Sequence, residues 1–157
     1  MNSPANSIDT AAAHCYFSTA CFNAVWSLID KADRTAEEDE GMINLAHASS
    51  WHWSQRLDCA PRNLSIAYWQ LSRVYALIGQ GQRARHYGQR CLTISRNEGP
   101  FYLGYAHEAL ARAAALLDDS RAMYDHLRQA REFAEAVTDV EEKQMLVADL
   151  DIEGNRS

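Results

Sequence analysis

The chain has 157 residues, 47% of them hydrophobic, which suits one domain with a buried core and leaves little for a second. A formal charge of −6 with a pI near 5.4 argues against a surface built to neutralise phosphates, so no nucleic-acid partner is expected. Apolar runs are short and interrupted, so no membrane span is expected, and helix formers dominate over Val, Ile and Thr, which points to an all-α chain.

The four cysteines include no CxxC pair, and the N-terminus lacks a basic stretch followed by a sustained apolar run. The simplest expectation is a reduced, cytoplasmic protein. Cys15, Cys21 and Cys91 sit among alanines and aromatics, where a free thiol behaves as a small hydrophobe. Cys59, in the polar turn LDCAPRN, is expected to be the most exposed thiol.

In chain order, residues 1–8 are polar and proline-containing and are expected to be disordered, and a single domain is expected over 9–151. The first helix runs from Asp9 or Thr10 to Lys31 and is broken by ADRT. The second spans about Ala36 to Gln55 or Arg56, with EEDE in its first turns at the positive end of the helix dipole. Further helices are expected over about 64–78, 83–96, 102–117 and 121–136, stopped in turn at GQGQ, NEGP and DDS. Thr138 to Glu141 reads as a capping box opening a last helix over 139–151, and 152–157 as a flexible tail. The result is about seven helices in antiparallel hairpins: 10–56, 64–96, 102–137, then a capping helix.

A shift of 39 residues superposes the second hairpin on the third, matching Leu71 with Leu110, Ser72 with Ala111, Ile78 with Leu117, Gly79 with Asp118 and Cys91 with Ala130. VYALIGQ, from Val74, is echoed by VWSLIDK, from Val25. Within YWQLSRVYALIGQGQRARHYGQRCLTIS, the positions Tyr68, Leu71, Ser72, Tyr75, Gly79, Ala84, Tyr87, Cys91 and Leu92 follow the small-and-large spacing of the tetratricopeptide repeat. The chain thus resembles a small, bacterial-type stand-alone tetratricopeptide-like domain, well over 64–137 and loosely over 10–56. The second copy departs at Ala114, Asp118 and Met123, and the closing proline is replaced by Arg96 and Glu135.

The resemblance implies a short superhelix or bundle whose leading helices line a concave groove. There it places Ile66, Trp69, Arg73 and Ala76, with Tyr105, Glu108, Arg112 and Ala115 at the positions shifted by 39. Paired guanidinium groups suit a carboxylate or phosphate, and the aromatics suit an apolar side chain beside it. The alternative is internal: Arg73 pairs with Glu108, and Trp69 packs against the first hairpin. The carboxylate clamp known in some family members is not matched residue by residue.

HASSWHWSQR, from His47 to Arg56, carries the other candidate residues. His47 and His52 stand five apart, about 140° around a helix axis, so they do not share a metal through one face. No histidine has Asp, Glu, Cys or His three or four positions away, and neither HExxH nor zinc-ribbon spacing occurs, so no metal site and no cofactor are expected. GxSxG, GxGxxG and the phosphate-loop pattern are missing too, and no catalytic residue is assigned. Met42, Leu45, Ala46, Ser49 and Trp53 form an apolar stripe, while His47 and Trp51 lie on an adjacent polar-aromatic stripe and His52 projects nearer Ala48 and Arg56. The leading expectation is a non-enzymatic protein–protein interaction module that binds a peptide segment, or its own copy as a homodimer, through the groove or the aromatic face at His47, Trp51 and His52. The alternative is a small-molecule- or metal-dependent enzyme or binding protein with a pocket around His14, His47 and Trp51.

Overall fold

The computed structural model describes residues 8–151, so the expected tail and all but the last residue of the expected disordered N-terminus lie outside the described residues. The described residues form seven helices: α1 (Thr10–Ile29), α2 (Ala36–Ser54), α3 (Pro61–Leu77), α4 (Gly81–Ser95), α5 (Pro100–Leu116), α6 (Ser120–Ala136) and α7 (Val140–Asp149). The architecture is all-α, with α1 and α2, α3 and α4, and α5 and α6 packed as hairpins. They fall into two compact units, one ending at Cys59 and one beginning at Ala60.

The first unit is the α1–α2 hairpin. Asp9 caps α1 by accepting from the Ala12 amide, and Thr35 opens α2 in a reciprocal capping box with Glu38. Small residues set the approach of the two helices: buried Ser49 donates its hydroxyl to the Ser18 carbonyl at 2.8 Å. Met42, Ala46 and Val25 are buried, as the spacing of the α2 stripe requires, while Leu45 and Trp53 are half-buried. Arg56 covers the Trp53 ring at 3.9 Å.

In the second unit α5 is the central helix, packing against α3, α4, α6 and α7. Its sequence explains this: GYAHEALARAAAL is small on nearly every side, so neighbours approach from several directions at once. A buried apolar cluster joins Ala111 and Ala114 of α5 to Met123, Leu127, Ala130 and Ala134 of α6 and to Leu146 and Leu150 at the C-terminal end. Full burial of Leu127 and Leu146 contributes about 1.5–3 kcal/mol each.

The helix starts differ from the sequence reading at α3 and α5, which begin at Pro61 and Pro100, because proline fits the first helical position where no amide donor is needed. The α7 cap also moves by one residue, since the Asp139 carboxylate, rather than the Thr138 hydroxyl, accepts from the backbone, at the Glu142 amide. The matched turns of the second and third hairpins share a backbone state: Gly79 has φ 75° and Asp118 has φ 56°. Both close the preceding helix with equivalent bonds, Gln80 to the Tyr75 carbonyl and Asp119 to the Ala114 carbonyl. Cys59 is half-buried, and Cys15, on the outer side of α1, is the exposed thiol instead.

Helix α7 depends on a close approach to α5, because a Cβ on Gly104 would collide with the Leu146 side chain. Gly104→Ala is therefore expected to destabilise the protein by roughly 1–3 kcal/mol despite the better helix propensity of alanine. Hydrogen exchange should show the loss of protection concentrated in α7; unchanged protection there would remove this packing argument.

Candidate functional site

The five groove candidates come together in the second unit, on α3 and α5. Trp69 donates its indole N–H to Glu108 Oε2 at 2.7 Å and meets the Tyr105 ring edge-on, with centroids 5.4 Å apart. Arg112, one turn beyond Glu108 on α5, donates Nε to Glu108 Oε1. The surface continues onto α7, where Tyr105 donates to the Asp149 carboxylate at 2.7 Å and Arg112 Nη2 to the Asp149 carbonyl at 2.9 Å.

Glu108, expected on an exposed face, is 0% exposed. Its partner is Arg112 of its own helix, not Arg73 from the neighbouring one. The reason is geometric: residues four apart on α5 already face each other, and the indole satisfies the second oxygen. A buried carboxylate is tolerated only when paired and hydrogen-bonded, and both conditions hold here. Tyr105 is pushed well above the ordinary phenol range, first by burial and then by its bond to Asp149.

Arg73 stands apart. It is half-buried and makes no ion pair or side-chain hydrogen bond among the described residues. Burial, then the Arg112 guanidinium, pull its pKa below the ordinary arginine value, against the attraction of Glu108 and Asp149.

The candidates from HASSWHWSQR lie in the first unit. His52 does not project away as expected but faces α1: its Nδ1 is 2.8 Å from His14 Nδ1, and its ring lies 5.4 Å from Phe17. Trp51 packs edge-on against both His14 and His52. His47 is half-buried on α2, and the histidine of α2 that meets His14 through its Nδ1 is His52. An Nδ1-to-Nδ1 hydrogen bond needs one ring to donate and the other to accept. Burial, then the His14 ring, lower the His52 pKa. The cluster remains open to solvent, with Tyr16 66%, Trp51 56% and Phe17 44% exposed.

Antiparallel pairing explains the His14–His52 contact. The Ser18–Ser49 bond sets the register, and moving one turn outward along each helix brings His14 toward His52. Spacing along α2 alone could not reveal it; register across the ADRT turn could have. Among the described residues no group of three or more His, Cys, Asp or Glu side chains is arranged to hold a metal ion.

A second histidine pair was not singled out by sequence. His107 of α5 and His126 of α6 place their Nδ1 atoms 3.0 Å apart, and His107 stacks on Phe133. Burial, then His126, lower the His107 pKa to about 4. Comparison with known proteins finds no matching family model, no matching curated protein and no matching solved structure.

Two predictions follow from these buried groups. Glu108→Gln leaves the Arg112 guanidinium without its carboxylate and is expected to cost about 3–5 kcal/mol in denaturant unfolding; a loss below 1 kcal/mol would show that the pair is solvated. For His107, the unfolded chain binds the proton near pH 6.5 and the folded chain only near 4, so its stabilising contribution is complete above 6.5 and is lost as pH falls toward 4. Unfolding free energy attributable to this group should drop by about 2 kcal/mol between pH 7 and 5. An imidazole NMR titration placing His107 near 6.5 would contradict it.

Proposed function

We propose that this chain is a non-enzymatic protein–protein interaction module built of tetratricopeptide-like hairpins, and that it associates with a second copy of itself through the aromatic face of the α1–α2 hairpin. The observation that carries this reading is the exposure of Tyr16, Phe17 and Trp51 around the His14–His52 pair. Contiguous exposed aromatics are costly in water and characteristic of contact sites.

The composition of α1 favours a like partner. From Thr10 to Ile29 it contains no Asp, Glu, Lys or Arg. A two-fold contact of this face with itself would bury rings and small uncharged side chains without stranding a charge. The groove on α3 and α5 is the less supported contact, because Trp69, Tyr105, Glu108 and Arg112 already bond to one another or to α7. Only Arg73 favours it, as a cation suited to a carboxylate from a peptide.

Sedimentation velocity over a range of concentrations tests the proposal. Reversible dimerisation is expected, weakened at least about tenfold in Trp51→Ala, as for an aromatic anchor at the centre of an interface. A monomer at every concentration, or a dimer indifferent to Trp51→Ala and Phe17→Ala, would overturn it.

A further inference from the structure

Residues 80–97 contain four arginines and no acidic residue, in a chain with 21 acidic and 15 basic side chains. Helix geometry places the arginines along the two edges of the outward side of α4, Arg83 with Arg90 on one edge and Arg85 with Arg96 on the other. The inner side of α4 is buried through Gly81, Ala84, Gly88, Cys91 and Ser95, so its polar residues must point outward. Arg83, Arg85 and Arg90 of α4, and Arg96 at its C-cap, are all exposed. None of them forms an ion pair among the described residues.

Two of these side chains are held in place. Arg90 lies over the Tyr68 ring at 4.5 Å and donates Nη2 to its hydroxyl at 2.7 Å. Arg83 lies over Tyr75 at 5.5 Å and donates Nη1 to that hydroxyl at 3.3 Å. Each contact uses one of five guanidinium N–H donors and restricts the side chain, which lowers the entropy lost when a ligand binds the others. A helix stabilised only for its own sake would gain from glutamates four residues from these arginines, and it has none.

We propose that the outer face of α4 is a docking surface for a carboxylate-rich protein segment. Charge complementarity sets the sign of the partner. Size sets its kind: Arg83 to Arg96 covers about 20 Å along the helix, the length of a few helical turns of peptide. Tyr75 and Tyr87 are stacked on each other with planes 3° apart, and Tyr68 stacks on Tyr87, so this aromatic group is engaged internally rather than laid out as a platform for bases. The acidic balance of the rest of the chain opposes a long polyphosphate running past the patch. This proposal and that of the aromatic face of α1–α2 rest on different residues, and either can fail without the other.

The test uses the full chain and a fluorescein-labelled peptide of glutamate and alanine, read by anisotropy at near-physiological salt. Saturable binding is expected, falling with added salt and weakened roughly tenfold or more by Arg85→Gln with Arg96→Gln, and likewise by Arg83→Gln with Arg90→Gln. The first pair guards against misfolding, since among the described residues its one side-chain hydrogen bond is that of Arg85 to Gln82 on the same exposed turn. Absence of binding, or binding by both double variants as tight as that of the unsubstituted chain, overturns the proposal. So does tighter binding of a single-stranded RNA oligonucleotide through the same arginines, which would make the face a phosphate surface. A dimer that dissociates on Arg85→Gln with Arg96→Gln would also overturn it, by making a second copy the occupant.

Discussion

The carboxylate of Glu108 is the constraint around which the second unit is arranged. It sits fully buried on α5 and takes an indole hydrogen bond from α3 and a guanidinium bond from Arg112. Arg112 in turn reaches α7 through the Asp149 carbonyl. A charge in that position fixes its neighbours, because any arrangement that left it unpaired would cost several kcal/mol. Three helices are thereby held to one relative placement, and the small residues of α5 let them come close enough to satisfy it.

Satisfying Glu108 also has a consequence for binding. Tyr105 and Arg112, the donors best suited to a visiting carboxylate, are bonded to Asp149 at the end of α7. The groove chemistry is thus largely spent inside the chain, with Arg73 left over. Surfaces less engaged by the fold lie elsewhere: uncharged and aromatic on α1–α2, cationic on α4.

Helical periodicity and turn residues made the element order legible, and the small-and-large pattern from Tyr68 to Leu92 anticipated the α3–α4 seam, where Leu71, Ser72, Tyr75, Ala84 and Cys91 are buried. What escaped has specific causes. Pro61 and Pro100 look like breakers but open helices. Glu108 looked exposed because a hairpin pattern gives a helix one inner face, whereas α5 is covered by four neighbours. His52 was placed by its position on α2, though its partner comes from the antiparallel register with α1. The α4 face was hidden by net charge, an average in which a local cluster of arginines disappears.

If Glu108 organises the second unit as described, the Trp69 indole proton must be shielded and hydrogen-bonded to a charge. NMR hydrogen exchange of the four tryptophan indole protons reads this directly. The expected result is a Trp69 indole proton that exchanges only through global unfolding, far more slowly than that of exposed Trp51. Exchange of the Trp69 proton as fast as that of Trp51 would contradict the Trp69–Glu108 bond and the arrangement built on it.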